Sequence, residues 1–228
     1  MQTTLTVNKK HKLLFIVDNC FATPYLQQPI KYGADLVINS ATKLMDGQGR
    51  VLGGVTVGSK ELIRELFLFA RNTGASLSPF NAWVLSKSLE TLAVRVDRHC
   101  DNAFTIAEKL EVSQNINWVK YPFLKSHPQY ALAKKQMLKG GNIIAFELIG
   151  GLEAGQNFIN AIELCSLSSN LGDSRTIITH PASTTHSKLS KEDRMAVGIT
   201  DGMIRLSIGL EHPEDIWNDL KNALSKIG

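Results

Sequence analysis

The chain has 228 residues, 43% hydrophobic and 20% charged, with a formal net charge of +4. That is enough chain to bury a substantial core in one large domain or two small ones, and the balance is that of a folded protein rather than a disordered one. The only tight basic cluster is Lys9–Lys12, no apolar run reaches transmembrane length, and Cys20, Cys100 and Cys165 are far apart, which argues against nucleic-acid, membrane, disulfide-framework and zinc-site classes.

The scattered cysteines and an N-terminal apolar stretch too short for a signal peptide point to a reducing cytoplasm. Met1–Lys12 is polar and carries no recognisable element. Leu13–Val17 and Leu36–Ile38 are continuous apolar runs, each ending in polar residues: Asp18 and Asn19 after the first, Ser40, Thr42 and Lys43 after the second. Such runs suit parallel strands covered on both faces, and ligands gather outside the carboxyl ends of such strands. Asp18 and Lys43 are therefore expected to face one pocket. A desolvated lysine can form a Schiff base with a carbonyl. Pyridoxal phosphate needs such a lysine, and a carboxylate to keep its ring nitrogen protonated. Spacing alone leaves two readings open, a cofactor site or an ordinary Asp–Lys pair at the rim of a sheet.

Pro24 and Pro29 keep the intervening segment irregular, and Gly33 ends a short helical turn. The glycines of DGQGRVLGG make a loop into a third strand, Val55–Val57, and Lys60–Ala70 has helical periodicity. Ser78-Pro79 opens a helix with a capping hydroxyl and a proline in the first turn. That helix is expected to run to about Leu110, with a domain boundary near Arg95. Strands follow at Trp118–Tyr121, Ile143–Leu148, Ile177–Thr179 and Ile204–Ile208. Helices alternate with them at Gln129–Leu138, Gly155–Leu164, Ser190–Val197 and Pro213–Lys226. Ser190 and Asp193 resemble a capping box. The second half therefore reads as α+β.

The segment DNCFATPYLQQPIKYGADLVINSATK resembles the cofactor segment of the Cys/Met-metabolism enzymes that use pyridoxal phosphate. The likeness continues through GGVTVGS, LSPFNAWVLSKSLETLAVRVDRH, SHPQY, THPASTTHSKLSKEDR and GMIRLSIGLEHPEDIWNDL, nearly the whole chain after residue 12. Within the family, DGQGRVLGG and SNLGD most resemble the O-succinylhomoserine sulfhydrylases. The resemblance implies an α/β fold: part of a fold-type I large domain with a mostly parallel sheet (1–95), then a smaller α+β domain with a mainly antiparallel sheet (96–228). It also implies the C-terminal part of a longer enzyme. The N-terminal part would supply the backbone phosphate cradle, a stacking aromatic ring and a Tyr/Arg pair shared between subunits.

By the same resemblance Lys43 is the Schiff-base lysine and proton shuttle, Asp18 the ring-nitrogen partner, and Ser40 and Thr42 the phosphate hydroxyls. Arg205 grips the substrate α-carboxylate, and Asn170 stands where the family has Ser beside it. Arg175 stands where lyases and cystathionine synthases carry an acid. It is either a selector for a succinyl ester or a surface arginine. The implied reaction is γ-replacement, O-succinylhomoserine plus sulfide giving homocysteine and succinate in methionine biosynthesis. The rivals are cystathionine γ-synthase, a γ-lyase, or a non-catalytic fragment. The implied partners are small molecules and further copies of the chain in a dimer or tetramer.

Overall fold

In a computed structural model of the protein, residues 10–227 are described; Met1–Lys9, most of the polar segment noted above, and Gly228 lie outside them. The chain divides into two compact units, Met1–Ala93 and Val94–Gly228.

The first unit is built on a three-stranded sheet of β1 (Ile16–Asp18), β2 (Leu36–Ser40) and β3 (Gly54–Gly58), in that order. β1 and β2 run parallel with Asp18 opposite Ile38, and β3 pairs antiparallel with Ser40 opposite Gly54. Between β1 and β2 lies the short helix α1 (Thr23–Leu26), whose first residue sits at φ +60, a left-handed conformation that a β-branched residue resists. Phe15, Ala34 and Val37 form one small core, and Ala41, Met45, Val51 and Leu85 another. Helix α2 (Lys60–Thr73) is capped by Ser59, whose hydroxyl accepts from Leu62 N at 3.3 Å, and Gly74 in the left-handed region ends it. It is amphipathic yet buries no side chain of its own: Phe67 and Phe69 are 63% and 66% exposed. Helix α3 (Pro79–Leu89) starts at the Ser78 cap, which accepts from Asn81 N at 3.1 Å.

The single helix expected from Ser78 to about Leu110 is in fact two, α3 and α4 (Leu92–Glu111). Thr91 directs both its N–H (3.3 Å) and its hydroxyl (3.2 Å) at Ser88 O. That carbonyl would otherwise accept from Leu92 and carry the helical ladder onward.

The second unit is a five-stranded sheet in the order β4 (Ile116–Lys120), β5 (Ile143–Leu148), β8 (Met203–Ser207), β7 (Ile177–Thr179), β6 (Ser166–Leu167). All its pairings are antiparallel except β6 with β7. β5 alternates half-buried and buried residues, as a strand with one face on a core does. Its Ile144, Phe146 and Leu148 join Ile178, Ile204 and Leu206, together with Ile106 and Leu110 of α4. Phe146 meets Phe158 edge-on at 5.9 Å, and burying each such side chain is worth roughly 1.5–3 kcal/mol. Of the remaining helices, α5 (Tyr130–Gln136), α7 (Lys191–Ala196) and α8 (Pro213–Leu224) fall within the expected ranges. α6 (Gly151–Asn160) begins four residues before the expected Gly155, because Gly150 at φ +105 turns the chain into it.

Candidate active site

In the first unit the sheet register brings the predicted residues to one edge. Asp18 is the last residue of β1, and Ser40 ends β2 two residues beyond the position opposite Asp18. The chain then enters a tight π-type turn, Ala41–Met45, with Lys43 inside it at φ −87, ψ −131, outside the helical and extended regions. Hydrogen bonds fix both ends of this turn. Ala41 N donates to Gly53 O at 2.8 Å, Asp46 N to Ala41 O at 2.9 Å and Gly47 N to Lys43 O at 2.8 Å.

Cys20 joins the two strand ends. Its sulfur accepts from Ser40 N at 2.8 Å, its own N–H donates to Asp18 Oδ1 at 3.0 Å, and its thiol hydrogen-bonds the same carboxylate. These bonds hold the Asp18 carboxyl below its usual range and therefore ionised at neutral pH. Burial and the Asp18 carboxylate push the thiol up, while the Lys43 charge pulls it the other way, so the ammonium lies within electrostatic reach of the sulfur. Asp18, Cys20, Ser40 and Lys43 thus form one cluster. In the sequence Cys20 stands out only as one of three scattered cysteines. The signal passed over there was a polarisable side chain two positions beyond Asp18, at the point where the strand ends.

Two other polar residues of this segment are engaged in structure. Asn19 is buried; its amide donates to Thr23 O and Gln27 O, both at 3.0 Å, and its oxygen accepts from Gln27 Nε2 at 3.1 Å. The Thr42 hydroxyl closes on Gly53, donating to its O at 3.3 Å and accepting from its N at 3.0 Å. Ser40 Oγ makes no hydrogen bond among the described residues.

The donor set suits pyridoxal phosphate at two of its three anchor points: a carboxylate held ionised for a ring N–H, and a lysine amine for the carbonyl. At the phosphate end one hydroxyl, that of Ser40, stands open.

In the second unit Arg205, on β8, lies opposite Thr179 of β7. One of its nitrogens, Nη2, donates to Ser169 O (3.0 Å), Asn170 O (3.3 Å) and Thr179 Oγ1 (3.4 Å). Its Nε and Nη1 make no hydrogen bond among the described residues, and no carboxylate there reaches it. The guanidinium is half-buried, and burial lowers its proton affinity. A half-buried cation with N–H groups left over can receive a carboxylate. Asn170 contributes to it through its backbone carbonyl. The turn that carries it is pinned where Ser207 Oγ accepts from Gly172 N at 2.8 Å.

Arg175 is not brought to this site. Its fork is closed on Asp173, with Nε 3.2 Å from Oδ1 and Nη2 3.2 Å from Oδ2. It also lies four residues before Thr179, roughly 13 Å along the strand. Burial pushes the Asp173 carboxyl up, but the hydrogen bonds and charge of Arg175 outweigh it and hold the group below its usual range.

The profile of a family described as Cys/Met metabolism PLP-dependent enzyme matches residues 1–225. The chain is 49% identical over 216 residues to an L-methionine gamma-lyase of Fusobacterium nucleatum subsp. polymorphum, covering 94% of this chain and 55% of that protein. It is 48% identical over 214 residues to an O-succinylhomoserine sulfhydrylase of Pseudomonas aeruginosa, covering 94% and 53%. A crystal structure of cystathionine gamma synthase from Xanthomonas oryzae pv. oryzae, in complex with aminoacrylate and cysteine, superposes with a TM-score of 0.95 at 40% identity, over 99% of this chain and 59% of that one. The chain thus spans about half the length of the curated relatives it matches. Fold, sheet-edge cluster and likeness agree: the chain belongs to the Cys/Met metabolism PLP-dependent enzyme family.

Proposed function

We propose that this chain carries the lysine and carboxylate of a pyridoxal-phosphate centre that performs γ-replacement, converting O-succinylhomoserine and sulfide into homocysteine and succinate. The observation that carries this reading is the Asp18–Cys20–Lys43 cluster at the carboxyl edge of β1 and β2. Support for the sulfhydrylase assignment comes from the likeness to the Pseudomonas aeruginosa enzyme.

When bound, pyridoxal phosphate supplies an electron sink for charge that develops on the substrate. Asp18 accepts the ring N–H and keeps that nitrogen protonated. Ser40 donates its hydroxyl to a phosphate oxygen. Lys43 would hold the carbonyl end and would serve as the general base for the substrate's α proton. The same amine would also move protons at the β carbon, where the exchange of succinate for sulfide at the γ carbon requires them. Arg205 would take the α-carboxylate through the N–H groups that its bonds to the protein leave over, a planar donor set lysine would not reproduce. The Thr42 hydroxyl braces the lysine turn through Gly53.

The test is reduction of the chain with borohydride in the presence of pyridoxal phosphate, followed by mapping of the adduct. A fixed adduct on Lys43, and sulfide-dependent release of succinate, are expected. Absence of the adduct would overturn the reading and leave a non-catalytic polypeptide. A γ-lyase is the second reading, favoured by the equally high identity to methionine gamma-lyases. It would release ammonia and a 2-oxo acid without sulfide. The three free cysteines support a reducing cytoplasm, and the uncovered apolar side chains of α2 and α3 support a homo-oligomer.

A further inference from the structure

The loop after Lys43 contains a charge pair, a buried Asp46 and an exposed Arg50, with no role in the chemistry described above. Asp46 is completely buried, and its carboxylate takes three N–H bonds from Arg50: the backbone N to Oδ2 at 2.7 Å, Nε to Oδ1 at 3.0 Å and Nη2 to Oδ1 at 2.9 Å. Arg50 Nη2 also reaches Ser88 Oγ on α3 at 2.8 Å, and that hydroxyl donates onward to Val84 O at 2.8 Å. Burying a carboxylate is costly unless it is fully paired, so a surface loop that only had to turn would not need one. The backbone of the same segment ends the lysine turn: Asp46 N is bonded to Ala41 O and Gly47 N to Lys43 O. The pair therefore fixes, through two peptide units, the residue whose φ and ψ lie outside the regular regions.

We propose that Asp46, Arg50 and Ser88 form a latch that ties the lysine turn to α3 and holds Lys43 in its irregular backbone conformation, the three acting as positioning residues. The inference rests on the reading of Lys43 as the cofactor lysine. Its chemistry is geometric. Two carboxylate oxygens and a planar fork define one orientation, and the hydroxyl of Ser88 anchors that orientation to a helix. An amine that must meet a carbonyl in a fixed place benefits from a backbone that cannot relax into a helix or a strand.

The experiment uses the whole chain with the substitutions D46N, R50K and S88A and reads two quantities. The first is amide hydrogen exchange at positions 46 and 47, which reports the latch without any cofactor. The second is borohydride-fixed labelling of Lys43 at limiting pyridoxal phosphate, normalised to the exposed Lys60 in the same sample. D46N is expected to speed exchange and to lower the Lys43/Lys60 ratio at least tenfold. R50K keeps the charge but loses the fork and should fall between D46N and the wild type, and S88A should show a smaller loss of the same kind. If D46N fails to fold, R50K and S88A decide by the same two readouts. Unchanged exchange would overturn the latch, and faster exchange with an unchanged ratio would overturn its positioning role. Wild-type Lys43 labelling no faster than Lys60 would overturn the functional reading itself, and the latch with it.

Discussion

Acidification should weaken the second unit through one histidine. His99 is fully buried on α4; its Nδ1 lies 2.7 Å from Ile208 O and so carries the proton, while Nε2 has no partner among the described residues. Burial is the main force lowering its pKa from the ordinary 6.5 to about 4. The Arg95 charge adds to it, and the Ile208 carbonyl and Asp173 oppose it. The folded state therefore binds this proton later than the unfolded state does. Its contribution is complete above the unfolded value and is lost as pH falls from 6.5 toward 4. The difference of about 2.5 units, at roughly 1.4 kcal/mol each, amounts to about 3 kcal/mol. Urea unfolding between pH 7.5 and 4 would measure it, with the exposed Trp83 replaced by Phe so that fluorescence reports Trp118 and Trp217. His99→Gln keeps a donor for Ile208 O but cannot titrate. The wild type should lose about 3 kcal/mol more than this variant across the range. Equal pH slopes for the two proteins would refute the reasoning.

Two further outcomes follow from the second unit. Arg205→Lys removes the fork and with it one charge-assisted hydrogen bond to the substrate carboxylate, about 2 kcal/mol. Steady-state kinetics should show KM raised roughly 30-fold with a smaller change in kcat, and an unchanged KM would reject the assignment. Arg175→Ala should alter turnover of succinyl and acetyl esters of homoserine alike, because its fork is closed on Asp173. Its effect belongs to stability. Asp173, held below its usual range, stabilises the fold above that range, and the advantage disappears as pH falls through its lowered value. The gap between wild type and Arg175→Ala should accordingly be present at pH 7 and close in acid.

Residues that act through backbone rules were readable in advance. Ser78 caps its helix, and Pro213 opens α8 with Glu214 and Asp215 in its first turn. Strands whose apolar runs end in turn residues fell within two or three residues of their observed bounds. The break at Thr91 was not readable, because apolar positions continue across it and one hydroxyl decides it. The two-residue β6 has too little pattern to register. At the site, Asp18 and Lys43 stood out as polar residues after apolar runs, family likeness assigned them and Arg205 their roles, and the register of β1 and β2 brings the two strand ends to one edge. The sequence names a residue's type, but not the neighbour that occupies it. Thr42 is engaged by Gly53, and Arg175 by an aspartate only two positions away. Cys20 illustrates the converse, an unremarked side chain that the strand ends bring between Asp18 and Ser40.

The burial of the thiols gives the chain a built-in chemical handle. Cys100 and Cys165 are 2% and 6% exposed, whereas Cys20 is only half-buried. An alkylating fluorophore should therefore modify one sulfur in the native protein and all three in denaturant. Because the Cys20 thiol is pushed up by burial and by Asp18, native labelling calls for alkaline buffer. A dye placed there would sit beside the lysine turn without a single engineered substitution, and its emission would report directly on what enters or leaves that edge of the sheet.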